Sequence, residues 1–104
     1  PADLSLDDET ALGRIHDPAI AASRIRALLA HDRRADLSRI AQPTLVTCAR
    51  DDRVTPPHLA REIADLVPDA TLWIAPGGGH FLPEVRPGAF LDAVHPFLSR
   101  HARA

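Results

Sequence analysis

The chain has 104 residues, 45% hydrophobic and 25% charged, which is one small domain's worth of sequence with too much apolar content for wholesale disorder. Its positive charge comes from 12 arginines and no lysine against 14 carboxylates, a net charge of −2, so nothing in the balance attracts nucleic acid. No apolar run is long enough to span a bilayer or form a signal-peptide core, which leads us to expect a soluble, cytoplasmic protein with no membrane partner.

The first 16 residues are acidic, with Asp3, Asp7, Asp8 and Glu9, and a loose spacing of Leu4, Leu6, Leu12 and Ile15 predicts a short helix over about residues 8–15. Asp17–Pro18 is an N-cap followed by proline at the first helical position. Ile20, Ala21, Ile25, Leu28 and Leu29 then recur at three- and four-residue steps, an amphipathic helix over residues 18–30. The charged run at residues 31–36 breaks that pattern and is expected to be a connector. Residues 1–36 are therefore taken as a helical segment and 37–104 as a separate α/β part.

From Thr44 the character changes. Thr-Leu-Val-Thr-Cys-Ala is short, β-branched and nearly unbroken, the pattern of a strand buried on both faces. Pro56–Pro57 opens a helix with Leu59, Ile63, Leu66 and Val67 on one stripe, closed by Pro68–Asp69. A second strand is predicted over residues 71–75, then a loop with Gly77, Gly78 and Gly79, and a last helix over about residues 89–99 built on Phe90, Val94, Phe97 and Leu98. Strands joined through a helix pair in parallel by a right-handed crossover. Two parallel strands do not make an independently stable sheet, so the chain reads as the last part of a larger one.

In open α/β sheets, chemistry gathers where the carboxyl ends of the strands release into loops. Here those loops are Arg50-Asp51-Asp52-Arg53-Val54-Thr55-Pro56 after the first strand, and the glycine triplet with His80 and Phe81 after the second. Parallel strands bring both loops to one end of the sheet, where an Asp–His hydrogen bond would fix the ring tautomer and stabilise the imidazolium, as a general base requires. Asp52 has a plainer reading as a turn or capping residue ahead of Pro56–Pro57. Cys48, the one cysteine, is expected to be a small buried hydrophobe, and Trp73 part of the core. His58, His95 and His101 are read as solvated, and His16, His31, Asp32 and Asp36 have no metal-ligand spacing.

Taken together, Pro43-Thr-Leu-Val-Thr-Cys-Ala-Arg-Asp-Asp-Arg-Val-Thr-Pro56, then Pro68-Asp-Ala-Thr-Leu-Trp-Ile, then Gly78-Gly-His80 and the segment from Phe90 to Leu98 resemble the carboxyl-terminal part of an α/β-hydrolase. The likeness covers about residues 37–98. It is nearest to the lactonase and esterase branch, including 3-oxoadipate enol-lactonases and aminoacrylate hydrolases, which share a run like Arg34-Ala-Asp36. The resemblance implies Asp52 as the triad acid, in preference to Asp51, and His80 as the triad histidine. It implies an acyl substrate (an ester, a lactone or a related small molecule) and neither cofactor nor metal. Phe81 is a candidate for lining the substrate site, and residues 18–29 would correspond to the end of a cap.

One departure outweighs the matches. The family's nucleophile sits in a Gly-x-Ser-x-Gly elbow, and none of Ser5, Ser23, Ser38 and Ser99 is flanked by glycines. The expectation is therefore two thirds of a triad, inactive by itself, whose partner is the preceding part of a hydrolase. The alternative is a non-catalytic α/β module that pairs with a second copy of itself through an open sheet edge.

Overall fold

The computed structural model describes residues 17–102. The helix expected over residues 8–15 lies outside them. Backbone contacts divide the chain into one unit ending at Asp32 and another starting at Arg33. In the first, helix α1 spans Pro18–Ala30, as the cap-and-proline pair predicts. The Asp17 carboxylate accepts the Ala19 N–H at 2.8 Å, and Pro18 occupies the first turn, where its missing donor costs nothing.

The second unit runs α2 (Arg34–Leu37), β1 (Thr44–Ala49), α3 (Pro57–Leu66), β2 (Ala70–Ala75), α4 (Leu82–Val85) and α5 (Pro87–His101). The expected connector thus ends in one helical turn. Asp36 draws Arg33 to 3.1 Å and Arg39 to 3.5 Å, and Arg34 reaches Glu62 on α3 at 3.4 Å. These pairs are exposed, so they locate the turn and contribute little stability.

β1 and β2 pair in parallel, in register from Thr44 opposite Ala70 to Ala49 opposite Ala75. The ladder extends one bond past each end, from the Thr44 N–H to the Asp69 carbonyl and from the Arg50 N–H to the Ala75 carbonyl, both 2.8 Å. The fold class expected from the sequence is what the structure shows: an α/β arrangement with a parallel sheet. α3 packs on both strands and α5 on β2. A small core of Ala49, Ala75 and Leu82, with Trp73 and Phe90 against it, lies at the carboxyl end of the sheet.

Three details depart from the sequence reading. β1 is not buried along its length: only Cys48 and Ala49 are, because among the described residues β2 is its one sheet neighbour. The segment between His80 and Gly88 holds a helical turn, α4, made possible by Pro83 in its first turn. The last helix starts at Pro87 for the same reason and continues to His101. His58, His95 and His101 are exposed as expected. Among the described residues no helix is long and apolar enough to cross a membrane.

Candidate active site

The register Ala49–Ala75 ends both strands side by side, so the turn after β1 and the loop after β2 leave the sheet at one place. The turn after β1 is built by Asp52. Its N–H returns to the Ala49 carbonyl at 3.1 Å, and its Oδ1 accepts the N–H groups of Val54 and Thr55, each at 2.9 Å. That is a carboxylate holding its own turn, an Asx-type arrangement. Its second oxygen is therefore free to face the neighbouring loop.

There Oδ2 meets two donors, the Thr55 hydroxyl and the His80 Nδ1–H, both at 3.1 Å. The turn and His-pairing readings of Asp52 are thus not exclusive: one oxygen builds the turn and the other binds the ring. It does not cap α3, whose preceding residue is Pro56.

The Asp52 side chain is only 7% exposed and that of His80 38%. Burial pushes the Asp52 carboxyl up, but the Thr55 N–H, the His80 ring, the Val54 N–H and the Thr55 hydroxyl together outweigh it and hold the group below the usual carboxylate range. An ionised Asp52 accepts and cannot donate, so the proton between the two residues belongs to Nδ1 of His80. Neutral His80 then carries its lone pair on Nε2, the state a general base needs.

Thr55 is the residue the sequence reading passed over. Its hydroxyl lies 3.2 Å from Nδ1 of His80 while donating to Asp52, so it touches both members of the pair. The signal was present as Asp-x-x-Thr, a spacing that lets a turn carboxylate take both the N–H and the hydroxyl of the same threonine.

Asp51, the neighbour set aside as triad acid, does not face the ring. Its Oδ1 accepts the Gly79 N–H at 2.9 Å. That bond, more than the slight opposing effect of burial, holds its carboxyl below the usual range, with the charge of Arg86 adding to it.

A cavity of about 220 Å³ opens beside the pair, lined among others by Thr47, Cys48, Thr55, His80 and Pro83. Phe81 packs edge-on against the His80 ring, centroids 5.3 Å apart, but lies outside the cavity lining and is 65% exposed. Cys48 is buried as expected, its thiol directed at the Ala49 carbonyl at 3.2 Å. Burial first, and the Asp52 charge second, push that thiol up against the smaller pull of Arg61, so at neutral pH it stays protonated. Among the described residues no three His, Cys, Asp or Glu side chains converge as metal ligands would.

Comparison with known proteins finds relatives of the chain. A family model for the alpha/beta hydrolase fold matches residues 13–87. The chain is 44% identical over 85 residues to RutD of Caulobacter sp. (strain K31), a protein whose name proposes carbamate hydrolysis; the match covers 82% of this chain and 32% of that protein. Among solved structures, it resembles an alpha/beta hydrolase from the metagenome of Mar Chica lagoon sediments, Morocco (TM-score 0.66, 33% identity, 79% of this chain and 36% of the other). It also resembles the serine hydrolase CarC involved in carbazole degradation (TM-score 0.62, 33% identity, 66% of this chain and 26% of the other). The chain spans about a third of the length of the curated relatives it matches.

Proposed function

The chain belongs to the α/β-hydrolase fold family, and from that premise we propose that it supplies the acid and the histidine of a serine-type hydrolase acting on an ester, a lactone or a related acyl compound. Carbamates fall within that class, since their hydrolysis proceeds by attack on the same kind of carbonyl carbon. The observation that carries the proposal is the 3.1 Å bond between Asp52 Oδ2 and His80 Nδ1. It supports a ring with Nε2 ready to accept a proton.

The proposal gives each residue a role. Nε2 of His80 removes the proton of a nucleophilic hydroxyl as that oxygen attacks the acyl carbon, and Asp52 stabilises the imidazolium that forms. The same nitrogen returns the proton to the leaving group, then activates water to release the acid. No cofactor enters these steps. No Gly-x-Ser-x-Gly elbow occurs in the 104 residues, so the nucleophile and the oxyanion donors are assigned to sequence outside them.

The test is an aryl-ester and carbamate hydrolysis assay on the chain alone and combined with a hydrolase segment carrying the nucleophile. The expected result is no turnover above background alone, and activity in combination that His80→Ala or Asp52→Asn lowers by about 10⁴-fold. Turnover by the chain alone that survives His80→Ala would overturn the assignment.

A further inference from the structure

The mechanism above leaves Asp51 without a role, yet its placement is specific. Two consecutive carboxylates of the β1 turn hold two consecutive residues of the β2 loop: Asp51 takes the backbone of Gly79 at 2.9 Å, and Asp52 takes the ring of His80 at 3.1 Å. The loop needs such a hold. Gly78 and Gly79 have φ of +130° and +69°, the region where glycine moves most freely, and a Cβ on Gly79 would meet nothing within 4 Å. Leu82 closes against Gly78, but no side chain packs against the Cβ side of Gly79, so packing alone does not fix the peptide that joins it to His80.

The ring itself is lightly held, by Asp52, Thr55 and the edge of Phe81. A rotation about Gly79 would swing Nδ1 away from Oδ2, and misplacement of a catalytic group by about 1 Å costs on the order of 10²-fold in rate. The Gly79 N–H, directly before the ring's residue, is held from the turn after β1, and Asp51 is its acceptor.

We propose that Asp51 is a positioning residue for His80: by accepting the Gly79 N–H it locks the glycine loop so that the imidazole meets Asp52 in the Nδ1–H tautomer. This rests on the hydrolase reading above, in which His80 is the base. Asp51 touches neither substrate nor the reacting atoms; it acts through the backbone of the residue before the histidine. The charge that Gly79 helps to stabilise on Asp51 keeps it an acceptor throughout the neutral range.

The experiment is nitrogen-15 NMR of the histidine side chains and the Gly79 amide, which needs no turnover and so fails independently of the hydrolase reading. In the wild type His80 is expected in a single, Nδ1–H tautomer with a protected Gly79 amide. Asp51→Ala is expected to give both tautomers and to speed Gly79 amide exchange by about tenfold or more, the loss of one hydrogen bond. Asp51→Asn, which keeps an acceptor oxygen, is expected to restore both signals. The proposal is overturned if Asp51→Ala leaves the tautomer and the amide unchanged, or if the Asn variant behaves like the Ala one. It is equally overturned if Asp51→Ala erases the resonances of the whole β1–β2 sheet, because the clasp would then hold the fold and not the ring.

Discussion

Asp52 shows how a single side chain serves structure and chemistry with different atoms. Its Oδ1 closes a turn that any Asp-x-Val-Thr sequence could form, whereas its Oδ2 depends on a histidine delivered by another strand. The donors around it set a pH dependence with a definite sign. Because its folded-state carboxyl lies below the ordinary range, its contribution to stability is complete above that range and is lost as pH falls through the folded value. Asp51 shifts in the same direction, so it adds to the loss. Urea unfolding followed against pH is expected to show stability falling on the acid side, less steeply in Asp52→Asn than in the wild type. A wild-type profile flat from neutral pH to below the ordinary carboxylate range would contradict the hydrogen-bond network.

At the scale of elements, the four-residue helix α4 matters more than its length suggests. Leu82, its first residue, is 4% exposed and completes the core with Ala49 and Ala75, the last residues of the two strands. A Cβ at Gly78 would lie 2.7 Å from its Cδ1, so the glycine loop closes directly onto that leucine. Leu82 is thus the apolar counterpart of the Asp51 and Asp52 contacts, pinning the far side of the loop that carries His80. Leu82→Ala is expected to destabilise the fold by about 2–5 kcal/mol, measured by denaturant unfolding, the range for emptying a buried leucine site. The sequence concealed α4 because Pro83 lies within it and Pro87 follows it, and prolines usually end helices; placed in first turns, Pro83 and Pro87 start them instead.

Across the whole molecule, the features of the second unit point outward from a sheet that ends too soon. Each strand has the other as its only partner among the described residues, and each leaves one edge without a neighbour. On α3 only Ala60 and the following Val67 are buried, while Leu59, Ile63 and Leu66 stay 36–39% exposed. Buried edges and faces are what a parallel sheet requires. We therefore expect a native mass above 11.3 kDa in light scattering. A partner supplying the preceding strands would fit completion of the triad in trans, and a dimer would favour the self-paired module. A stable monomer would contradict the expectation from the open edges.

The sequence by itself determined what is local and periodic. The Asp17–Pro18 start of α1, the β-branched run of β1, the stripe that makes α3 and the order strand, helix, strand, helix are all set by near neighbours in the chain. The loops after the two strands offered carboxylates and an imidazole at one end of the sheet, and the resemblance to α/β-hydrolases implied Asp52 as acid and His80 as base. Tertiary structure decided what depends on contacts between residues distant in sequence: that Oδ2 rather than Oδ1 meets the ring, that Thr55 joins the pair, and that Asp51 holds Gly79 and not His80. Neighbouring aspartates look alike in a sequence because they share charge and size. Which one reaches an imidazole is fixed only when two parallel strands bring their loops together in a given register, and a hydrogen bond tolerates only a few tenths of an ångström of error.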